Sequence, residues 1–321
     1  MNAENKLRAF YIKFKNKAFI FCTHKHADTD AVSSAYVLSK VFPKSMFAIP
    51  DEMNNAAMKL LEYFKIKPML LSSALKKRHD AIIAVDTSSK ALFPYDEMQD
   101  IGEKIIAVID HHERGKDAFN AEYMFINNDA RACAEIIANT FSKLKGKYAA
   151  LLACGILSDT VRFVTANKNT IKAFMNMYRN SNYEYEKLLR LAFPKRPLYE
   201  KIAILKGLQR TKIVQYKDII ISLSHVGSNN GEVASLLANA GDIAFVAQKE
   251  GKAIRISARA NMHIDIELNK VMENVASAFN GMGGGHKKAA GCIAYGNLND
   301  VLEYCAKKTK DMLKNNKKRK K

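Results

Sequence analysis

The sequence predicts an α/β protein of two domains, the first built on a doubly wound, mainly parallel sheet and the second a smaller α/β domain. Three observations lead to this prediction. Short apolar runs of strand length alternate with segments of helical periodicity through the first half of the chain, as they do in repeated strand–helix units. Several of these runs end in Asp or His, and open α/β sheets bind their ligands beyond the carboxyl ends of the strands. A chain of 321 residues is long for one hydrophobic core and sufficient for two.

The first half of the chain alternates between apolar strands and amphipathic helices. Helix 54–64 has an apolar face that includes Leu60, Leu61 and Phe64, and Pro43 ends the preceding helix. The strand before residue 110 is almost entirely apolar and is therefore expected inside the sheet. The predicted elements are helix 2–17, strand 18–22, helix 31–42, strand 45–50, helix 54–64, strands 81–85, 104–109 and 123–127, and helices 130–144, 148–157 and 169–179.

The domain boundary is predicted in the charged segment after residue 181, which contains Pro194 and Pro197. Its apolar residues, among them Leu188 and Phe193, need cover, so the segment is not expected to be a flexible linker. The predicted parts are a first domain over 1–185, a connector over 186–209, a second domain over 210–314 and a basic tail over 315–321. The elements predicted in the second domain are strand 218–224, helix 231–240, strands 243–248 and 252–258, helix 266–278, strand 292–295 and helix 299–313.

Composition favours a folded protein outside the membrane. The hydrophobic content is 48%, and the sequence contains no apolar run of the roughly 18 residues that a membrane span needs. The first residues lack the basic and apolar regions of a signal peptide, so a cytoplasmic protein is expected. The five cysteines are scattered and without CxxC spacing, which predicts reduced, buried thiols.

The net charge of +19, from 51 basic and 32 acidic residues, favours a polyanionic partner such as nucleic acid or nucleotides. A lysine-rich composition shared by other proteins of the same source is the alternative explanation. The last eight residues hold six Lys or Arg and no acid. This tail is either a solvated end or a nonspecific RNA anchor.

Side chains that can bind metal cluster where three predicted strands and one predicted helix end. Asp28 and Asp30 would repel each other unless a divalent cation lay between them, although a helix-capping loop is the alternative. Asp86 on its own would be a cap or turn residue, and Asp159 has local pairing with Arg162 as its alternative. The candidates are His24, Asp28, Asp30, Asp86, Asp110, His111, His112 and Asp159.

Carboxylates with two or three imidazoles and no thiolate suit Mn²⁺, Mg²⁺ or Co²⁺ better than a structural zinc ion. Six ligands are too many for one catalytic ion with open positions. They suit two ions about 3.5–4 Å apart that share a bridging carboxylate and a water. Such a pair generates hydroxide and clamps a phosphoryl oxygen, so the reaction class that these residues predict is phosphoester hydrolysis.

A glycine-rich stretch in the second domain is a candidate anion site. Gly283, Gly284 and Gly285 would let backbone N–H groups approach a phosphate closely, and His286 and the two lysines after it add positive charge. A flexible loop is the alternative interpretation. Arg259 is a candidate partner for a phosphate or carboxylate, with a structural ion pair as its alternative.

Together these motifs resemble those of the DHH phosphoesterases and of the DHHA1 domain that accompanies them. The motifs occur in family order from residue 24 to residue 291, so the resemblance covers nearly the whole chain. Size and two-domain layout look most like the nanoRNase and pAp-phosphatase branch. The five motifs are His24-x3-Asp28-x-Asp30-Ala31, Asp86, Asp110-His111-His112, Gly155-Ile156-x2-Asp159-Thr160 and Gly283-Gly284-Gly285-His286-Lys287-Lys288-Ala289-Ala290-Gly291.

The resemblance implies a role for each of these residues. It implies two Mn²⁺ ions, the first held by His24, Asp28 and Asp86. The second would be held by Asp30, Asp86, His111 and Asp159, so that Asp86 bridges the two. Asp110 would orient a ligand, and His112 would lie by the scissile phosphate. The remainder of the substrate, in a cleft between the domains, would be bound by Arg259, Gly283, Gly284, Gly285 and His286.

The function that the resemblance implies is Mn²⁺-dependent degradation of very short RNA from an end, with release of mononucleotides. Adenosine 3′,5′-bisphosphate is a second expected substrate. The alternatives are hydrolysis of cyclic or linear di-AMP, a single-strand RNA or DNA exonuclease of the RecJ type, and a degenerate family member that only binds nucleic acid. Longer single-stranded nucleic acid on the basic surface is a further expected partner, and a homodimer is left open.

Overall fold

A computed structural model of the protein describes residues 2–93, 104–115 and 117–319, with side chains as far as Lys314. The chain divides into two compact units, Met1–Lys195 and Arg196–Lys321, called the first and second unit below. The division falls within the segment 186–209 that the sequence marks as a connector. That segment holds a helix of each unit, Tyr185–Ala192 and Leu198–Gln209.

A parallel six-stranded sheet forms the centre of the first unit, as predicted. Its strand order is β3-β2-β1-β4-β5-β6, and every neighbouring pair is parallel. The chain moves outward from β1 in one direction first and then in the other, so the strand order reverses between β1 and β4. That reversal opens a crevice at the carboxyl ends of these two strands. The strands are β1 Phe19–Cys22, β2 Met46–Ile49, β3 Met69–Leu70, β4 Ala81–Val85, β5 Ile105–Asp110 and β6 Tyr123–Ile126.

Both faces of this sheet are buried, because alternate residues of each strand enter different cores. Phe21 and Ile83 belong to the core on one face, whereas Ile20 and Ile82 belong to the core on the other. This explains why the strands are continuous apolar runs in the sequence. The helices of the first unit are α1 Ala3–Phe14, α2 Thr29–Val41, α3 Asn55–Tyr63, α4 Leu71–Ala74, α5 Cys133–Thr140, α6 Lys147–Asp159, α7 Lys168–Ser181 and α8 Tyr185–Ala192, with a 3₁₀ turn at Lys90–Leu92.

The second unit contains a mixed six-stranded sheet in the order β11-β12-β10-β9-β8-β7. Only the pair of β8 and β9 is parallel, and the other pairs are antiparallel. The two ends of the sheet are β7 and the glycine-rich β11. The elements are α9 Leu198–Gln209, β7 Lys212–Tyr216, β8 Ile219–Val226, α10 Asn230–Ala240, β9 Ile243–Glu250, β10 Ala253–Ala260, α11 Leu268–Ala278, β11 Met282–Gly285, β12 Ala289–Tyr295 and α12 Leu298–Arg319.

The structure differs from the sequence prediction at several boundaries. The helix expected over 130–144 is α5 alone, since it ends at Thr140. The glycine-rich stretch, for which a loop was the alternative, forms the edge strand β11. The strands β3 and β7 are not among the predicted elements, although a strand pattern restarts near residue 210. All five cysteines are free and buried, as predicted. In the described part of the chain, no helix is long and apolar enough to cross a membrane.

Candidate metal centre

The candidate metal ligands converge at the carboxyl ends of β1, β4 and β5 and at the end of α6. Because β1 and β4 are neighbours in register, the loop after β1 lies beside the residue after β4. Nε2 of His24 is 3.8 Å from Oδ2 of Asp86. The crevice predicted by the strand order is therefore lined by the residues that the sequence selects. The ligand cluster, as we call it below, consists of His24, Asp28, Asp30, Asp86, His111 and Asp159.

The loop after β1 delivers two aspartates because α2 begins within it. Asp28 is the N-cap of α2, and its Oδ1 accepts a hydrogen bond from the backbone N–H of Ala31 at 3.0 Å. A carboxylate is favoured at this position because the first backbone N–H groups of a helix lack partners. The Nδ1 of His24 lies 2.7 Å from the carbonyl oxygen of Lys25. That contact leaves Nε2 of His24 directed toward Asp86.

Asp30 is fully buried and is held by the start of a second helix. Its Oδ2 accepts from the N–H of Cys133 at 2.6 Å, and its Oδ1 accepts from the N–H of Ala134 at 2.9 Å. These are the first residues of α5, so one carboxylate joins α2 to α5. Gly155 on α6 faces the same carboxylate, because a Cβ at that position would lie 2.8 Å from Oδ1 of Asp30. The sequence marks Gly155 as part of a motif, but only the packing explains the glycine.

Asp86 follows β4 in a left-handed backbone conformation, with φ of 64°. Its N–H donates to the carbonyl oxygen of Ile109 at 2.8 Å, which extends the pairing with β5 by one residue. The side chain is only 2% exposed. Asp is one of the few residue types that enter this conformation at modest cost, and the turn directs the carboxylate toward the other ligands.

At the end of β5, three consecutive residues make different contacts: Asp110, His111 and His112. Oδ1 of Asp110 accepts from the N–H groups of His111 and His112 at 2.8 and 3.1 Å, and it lies 2.8 Å from Nδ1 of His112. Asp110 therefore orients His112. His111 turns the other way, with Nε2 at 3.1 Å from Oδ2 of Asp159 and 3.4 Å from Oδ1 of Asp86. Asn128, which the sequence did not single out, donates to the carbonyl oxygen of His112 at 2.7 Å.

Asp159 is the last residue of α6, and the chain after it forms a left-handed turn. The N–H of Arg162 donates to the carbonyl oxygen of Leu157, and that of Val161 to Ser158, which is the Schellman pattern of a helix C-terminus. Val161, Arg162 and Phe163 all have positive φ, at 48°, 58° and 72°. Arg162 does not turn back to Asp159, because its guanidinium lies 4.0 Å over the ring of Phe193.

The ligand cluster fits divalent cations. Two of its triads have ligand atoms that all lie within 4.8 Å of one another, namely His24 with Asp28 and Asp86, and Asp30 with His111 and Asp159. Oδ1 of Asp86 and Nε2 of His111 are buried and lie 3.4 Å apart, but neither makes a well-aligned hydrogen bond within the described residues. Buried polar atoms without partners are costly, and a cation between these oxygens and nitrogens would satisfy them. A third triad joins His112 to Asp86 and His111, but Nδ1 of His112 is already engaged by Asp110.

The electrostatics of the cluster lead to the same conclusion. Burial raises the pKa of Asp28, Asp30 and Asp86 above the ordinary range, and neighbouring carboxylates raise each of them further. Burial alone would lower the pKa of His111, but Asp159 and Asp86 raise it to about 12. Burial would also raise the pKa of Asp110, yet its contacts with His112 hold that pKa below the usual value. The cluster without metal therefore carries mutually repelling acids that bound cations would stabilise.

In the second unit, the sheet register brings Arg259 close to the glycine-rich stretch. Arg259 of β10 pairs with Ala289 of β12, and Ala290 pairs with Gly285 of β11. Arg259 is partly buried, which lowers its pKa, and its Nη1 donates to the carbonyl oxygen of Ala258 at 2.9 Å. The N–H of His286 donates to Ala289 at 2.8 Å, so this residue closes the turn between the last two strands.

The three glycines of β11 differ in how much room there is for a side chain at each position. A Cβ on Gly283 would lie 2.5 Å from the carbonyl oxygen of Met272, so this glycine lets α11 pack on the strand. Gly285 has φ of 125°, and its Cβ would lie 2.8 Å from the carbonyl oxygen of Ala289. A Cβ on Gly284 would meet nothing within 4 Å, and its φ is not in the left-handed region. Packing therefore accounts for two of the three glycines and leaves open space beside Gly284.

Comparison with known proteins agrees with this geometry. Residues 18–156 match the model of the DHH family N-terminal domain, and residues 219–311 match the DHHA1 domain. An uncharacterized protein from Methanocaldococcus jannaschii is 31% identical over 297 residues, which cover 87% of this chain and 88% of that relative. The match to this relative and the matches to the two family models extend over both units of the chain.

Two further relatives match over part of their own length. A manganese-dependent inorganic pyrophosphatase from Methanothrix thermoacetophila is 32% identical over 152 residues, which are 44% of this chain and 46% of that relative. The cyclic-di-AMP phosphodiesterase GdpP from Geobacillus thermodenitrificans is 27% identical over 303 residues, which are 82% of this chain and 42% of that relative. The chain spans less than half the length of each of these two enzymes. From its two domains, its ligand cluster and its full-length relative, the chain belongs to the DHH/DHHA1 family of phosphoesterases.

Proposed function

We propose that this protein is a Mn²⁺-dependent phosphoesterase that hydrolyses very short oligoribonucleotides from one end and releases mononucleotides, with adenosine 3′,5′-bisphosphate as a second substrate. The observation that carries the proposal is the buried ligand cluster, in which Oδ1 of Asp86 and Nε2 of His111 make no well-aligned hydrogen bond within the described residues. Manganese is the metal named for the pyrophosphatase relative, whose match to this chain spans 152 residues.

The ligand cluster has enough donors for two ions. His24, Asp28 and Asp86 would hold one, and Asp30, His111 and Asp159 would hold the other, with Asp86 shared between them. A pair of divalent cations supplies an activated water and neutralises charge on the phosphoryl oxygens. The chain fixes the ligands beforehand through α2, α5 and the turn after β4, so little reorganisation is needed when a substrate binds.

His112 is the side chain that we propose acts directly on the substrate. Its side chain is 56% exposed, whereas that of Asp110 is fully buried. The carboxylate of Asp110 engages Nδ1, and Nε2 makes no hydrogen bond within the part of the chain that the structure describes. This nitrogen would hydrogen-bond a phosphoryl oxygen and, when protonated, donate a proton to the leaving oxygen.

Residues of the second unit would bind the rest of the substrate. Arg259 offers a guanidinium whose burial lowers its pKa, a setting in which pairing with a phosphate is favourable. His286 and the backbone of Gly283, Gly284 and Gly285 would complete this subsite, and the open space beside Gly284 is where a ligand would approach. A subsite for one further nucleotide favours short substrates and needs no contact with specific bases.

Two other activities remain as alternative outcomes. Hydrolysis of cyclic di-AMP is the activity named for the relative that matches 82% of this chain. Hydrolysis of pyrophosphate is disfavoured, because that relative matches only 44% of the chain and residues 219–311 match a DHHA1 domain, a domain expected to bind a larger substrate.

The test is an analysis of products on a substrate panel, with Mn²⁺ and with EDTA. The panel contains pApA, a five-nucleotide RNA, a twenty-four-nucleotide RNA, single-stranded DNA, cyclic di-AMP, adenosine 3′,5′-bisphosphate and pyrophosphate. We expect Mn²⁺-dependent release of AMP from pApA to be fastest, with rates falling as the RNA lengthens. Preference for the long RNA or DNA would indicate an exonuclease instead. Hydrolysis of cyclic di-AMP or pyrophosphate alone would replace the proposal.

A matched pair of variants separates the site from a contaminating nuclease. Asp86→Asn removes a proposed ligand and should abolish turnover, whereas Asp300→Asn makes the same change at an exposed position on α12 and should not. Equal activity of the two variants would mean that the measured turnover does not come from the ligand cluster.

A further inference from the structure

Val161 lies where a glycine is expected. It is the residue at which α6 turns into a left-handed conformation, with φ of 48°, and this position of a Schellman motif favours glycine because a Cβ is strained there. A β-branched side chain is especially unfavourable in that region. Val161 is also 51% exposed, so packing does little to offset the strain. Nothing in the described fold explains a valine at this position.

A second helix in the same unit ends with the same motif and makes a useful comparison. After α3, the N–H of Ile66 donates to Leu61 and that of Lys65 to Glu62, and Lys65 has φ of 54°. The left-handed residue there is unbranched and charged, so its exposed end is well solvated. Val161 has a similar φ but differs in being branched and apolar, and it is the first of three consecutive residues with positive φ, whereas Lys65 is alone. The difference between the two helix ends lies in their surroundings, since only α6 ends at the ligand cluster.

The turn after α6 is held by contacts of Thr160, Arg162 and Phe163, and none of them involves the Val161 side chain. The hydroxyl of Thr160 donates to the carbonyl oxygen of Ile156 at 2.6 Å and accepts from the N–H of Phe163 at 3.1 Å. The ring of Phe163 packs on Phe174, with centroids 4.8 Å apart, and Arg162 lies on Phe193. These contacts hold the backbone in place without help from the Val161 side chain.

Two apolar residues are exposed in this turn, which begins one residue after a proposed metal ligand. Val161 is 51% exposed and Val164 is 67% exposed. Consecutive Cα atoms are 3.8 Å apart, so the Cα of Val161 is at most about 7.6 Å from that of Asp159. A nucleotide whose phosphate occupies the ligand cluster has its sugar and base within a comparable distance. Arg162, the one charged side chain of the turn, is exposed, and its guanidinium lies over the ring of Phe193.

We propose that Val161 is a substrate-contacting residue, whose side chain packs against the sugar and base of the nucleotide at the ligand cluster and sets the affinity for nucleosides. This inference rests on the proposed function and goes beyond it by naming a residue that recognises the nucleoside. An aliphatic contact of this kind tolerates any base, because it offers no hydrogen bond to the base edge. It also explains why a strained and exposed valine persists beside the cluster, since backbone strain collects at functional sites.

The experiment compares Val161→Gly with Lys65→Gly, which relieves the same backbone strain at the end of α3. Each protein is assayed with Mn²⁺ on pApA and on bis-p-nitrophenyl phosphate, a phosphodiester without a nucleoside, and its thermal midpoint is measured. For Val161→Gly we expect the ratio of kcat/KM on pApA to that on bis-p-nitrophenyl phosphate to fall about tenfold, mostly through a higher KM. For Lys65→Gly we expect the wild-type ratio. Both variants should unfold at a higher temperature than the wild type.

The outcomes distinguish this inference from the proposed function. A wild-type protein that leaves pApA intact refutes the proposed function and the inference with it. A wild type that cleaves pApA, together with an unchanged ratio in Val161→Gly, refutes only the inference. Equal losses on both substrates would also refute it, because they would mean that Val161 acts by positioning Asp159. Val161→Ile, which keeps an aliphatic contact, should restore most of the ratio that Val161→Gly loses.

Discussion

The two units of this protein form their candidate sites from different chemical groups, side chains in the first and mainly backbone in the second. In the first unit, side chains form the site: carboxylates and imidazoles stand at the carboxyl ends of parallel strands, and the backbone presents them. In the second unit, the proposed subsite consists mainly of the backbone of the glycine-rich edge strand β11 and the open space beside it. Arg259 is the nearby side chain. A site of side chains can be identified from residue types in a sequence. A site of backbone can be identified only as a motif, and its geometry requires the structure.

The largest expected effect is at Asp86, because the site of the first unit is formed by side chains and Asp86 lies at its centre. Asp86→Asn keeps the shape of the side chain and its left-handed backbone but removes the charge that we propose the two ions share. We expect kcat on pApA to fall on the order of 1,000-fold or more. The metal-free variant should be at least as stable as the wild type, because a buried repelling carboxylate is gone. Steady-state kinetics and thermal unfolding in EDTA check both points, and retention of more than a tenth of the wild-type rate would contradict the two-ion assignment.

The next prediction tests whether the site of the first unit also depends on the room that a glycine leaves. A Cβ added by Gly155→Ala would lie 2.8 Å from Oδ1 of Asp30 and 2.9 Å from the Cβ of Ala134, so the carboxylate has to move. Displacement of a catalytic group by about 1 Å can cost on the order of 100-fold in rate. We expect a loss of that size together with weaker Mn²⁺ binding, measured by calorimetric titration.

Gly227→Ala is the control for this substitution, since a Cβ there would meet nothing within 4 Å. It should keep wild-type Mn²⁺ affinity. Normal metal binding by Gly155→Ala would show that Asp30 can shift without consequence, and it would remove Asp30 from the set of necessary ligands.

Much of the first unit follows from the sequence because its signals are local. Apolar runs that end in Asp or His predict β1, β4 and β5, and the residues after them converge as expected because the strands are parallel neighbours. The sequence does not reveal why Gly155 is a glycine or that Asn128 holds the backbone of His112, since both depend on contacts between distant segments. It also misassigns the length of α5, because Phe141 and Leu144 continue an apolar pattern past the point where the helix ends.

The second unit is less predictable for a physical reason. The glycines of β11 suggest a loop because glycine is unfavourable in strands, yet hydrogen bonds to β12 and the close approach of α11 make this stretch an edge strand. No pattern of side chains in the sequence predicts that arrangement. Likewise, β7 is a short strand of mixed polarity at the opposite edge, where one side of the ladder has no partner within the sheet. Edge strands have fewer constraints on their sequence than central strands, so their signals are weaker.

A smaller effect concerns the pH dependence of stability in the first unit. The raised pKa values of Asp28, Asp30 and Asp86 mean that the folded protein without metal binds more protons than the unfolded chain above about pH 4. The pKa of His111, raised from 6.5 to about 12, has the same effect above pH 6.5. The metal-free cluster therefore contributes less stability as pH rises. Mn²⁺ binds the deprotonated ligands, so its affinity rises over the same range.

The Mn²⁺-induced increase in thermal midpoint should consequently be larger at pH 8 than at pH 5.5. Metal at about a hundredfold its Kd would add about 2.7 kcal/mol to the stability. Thermal unfolding with Mn²⁺ and with EDTA at the two pH values measures the difference, and Asp86→Asn should show much less of it. An increase of equal size at both pH values would argue against ligands whose deprotonation is coupled to metal binding.

The smallest expected effects compare two adjacent glycines of the second unit. Gly283→Ala should destabilise the protein by about 1–3 kcal/mol, because its Cβ would lie 2.5 Å from the carbonyl oxygen of Met272. Gly284→Ala should change stability by less than about 0.5 kcal/mol, because its Cβ would meet open space. If that space receives the substrate, Gly284→Ala should instead raise KM for pApA several-fold while leaving kcat nearly unchanged. Chemical denaturation and steady-state kinetics on both variants separate the two roles. A stable Gly284→Ala protein with an unaltered KM would mean that no substrate approaches this strand, and the proposed subsite would then have to rest on Arg259 and His286 alone.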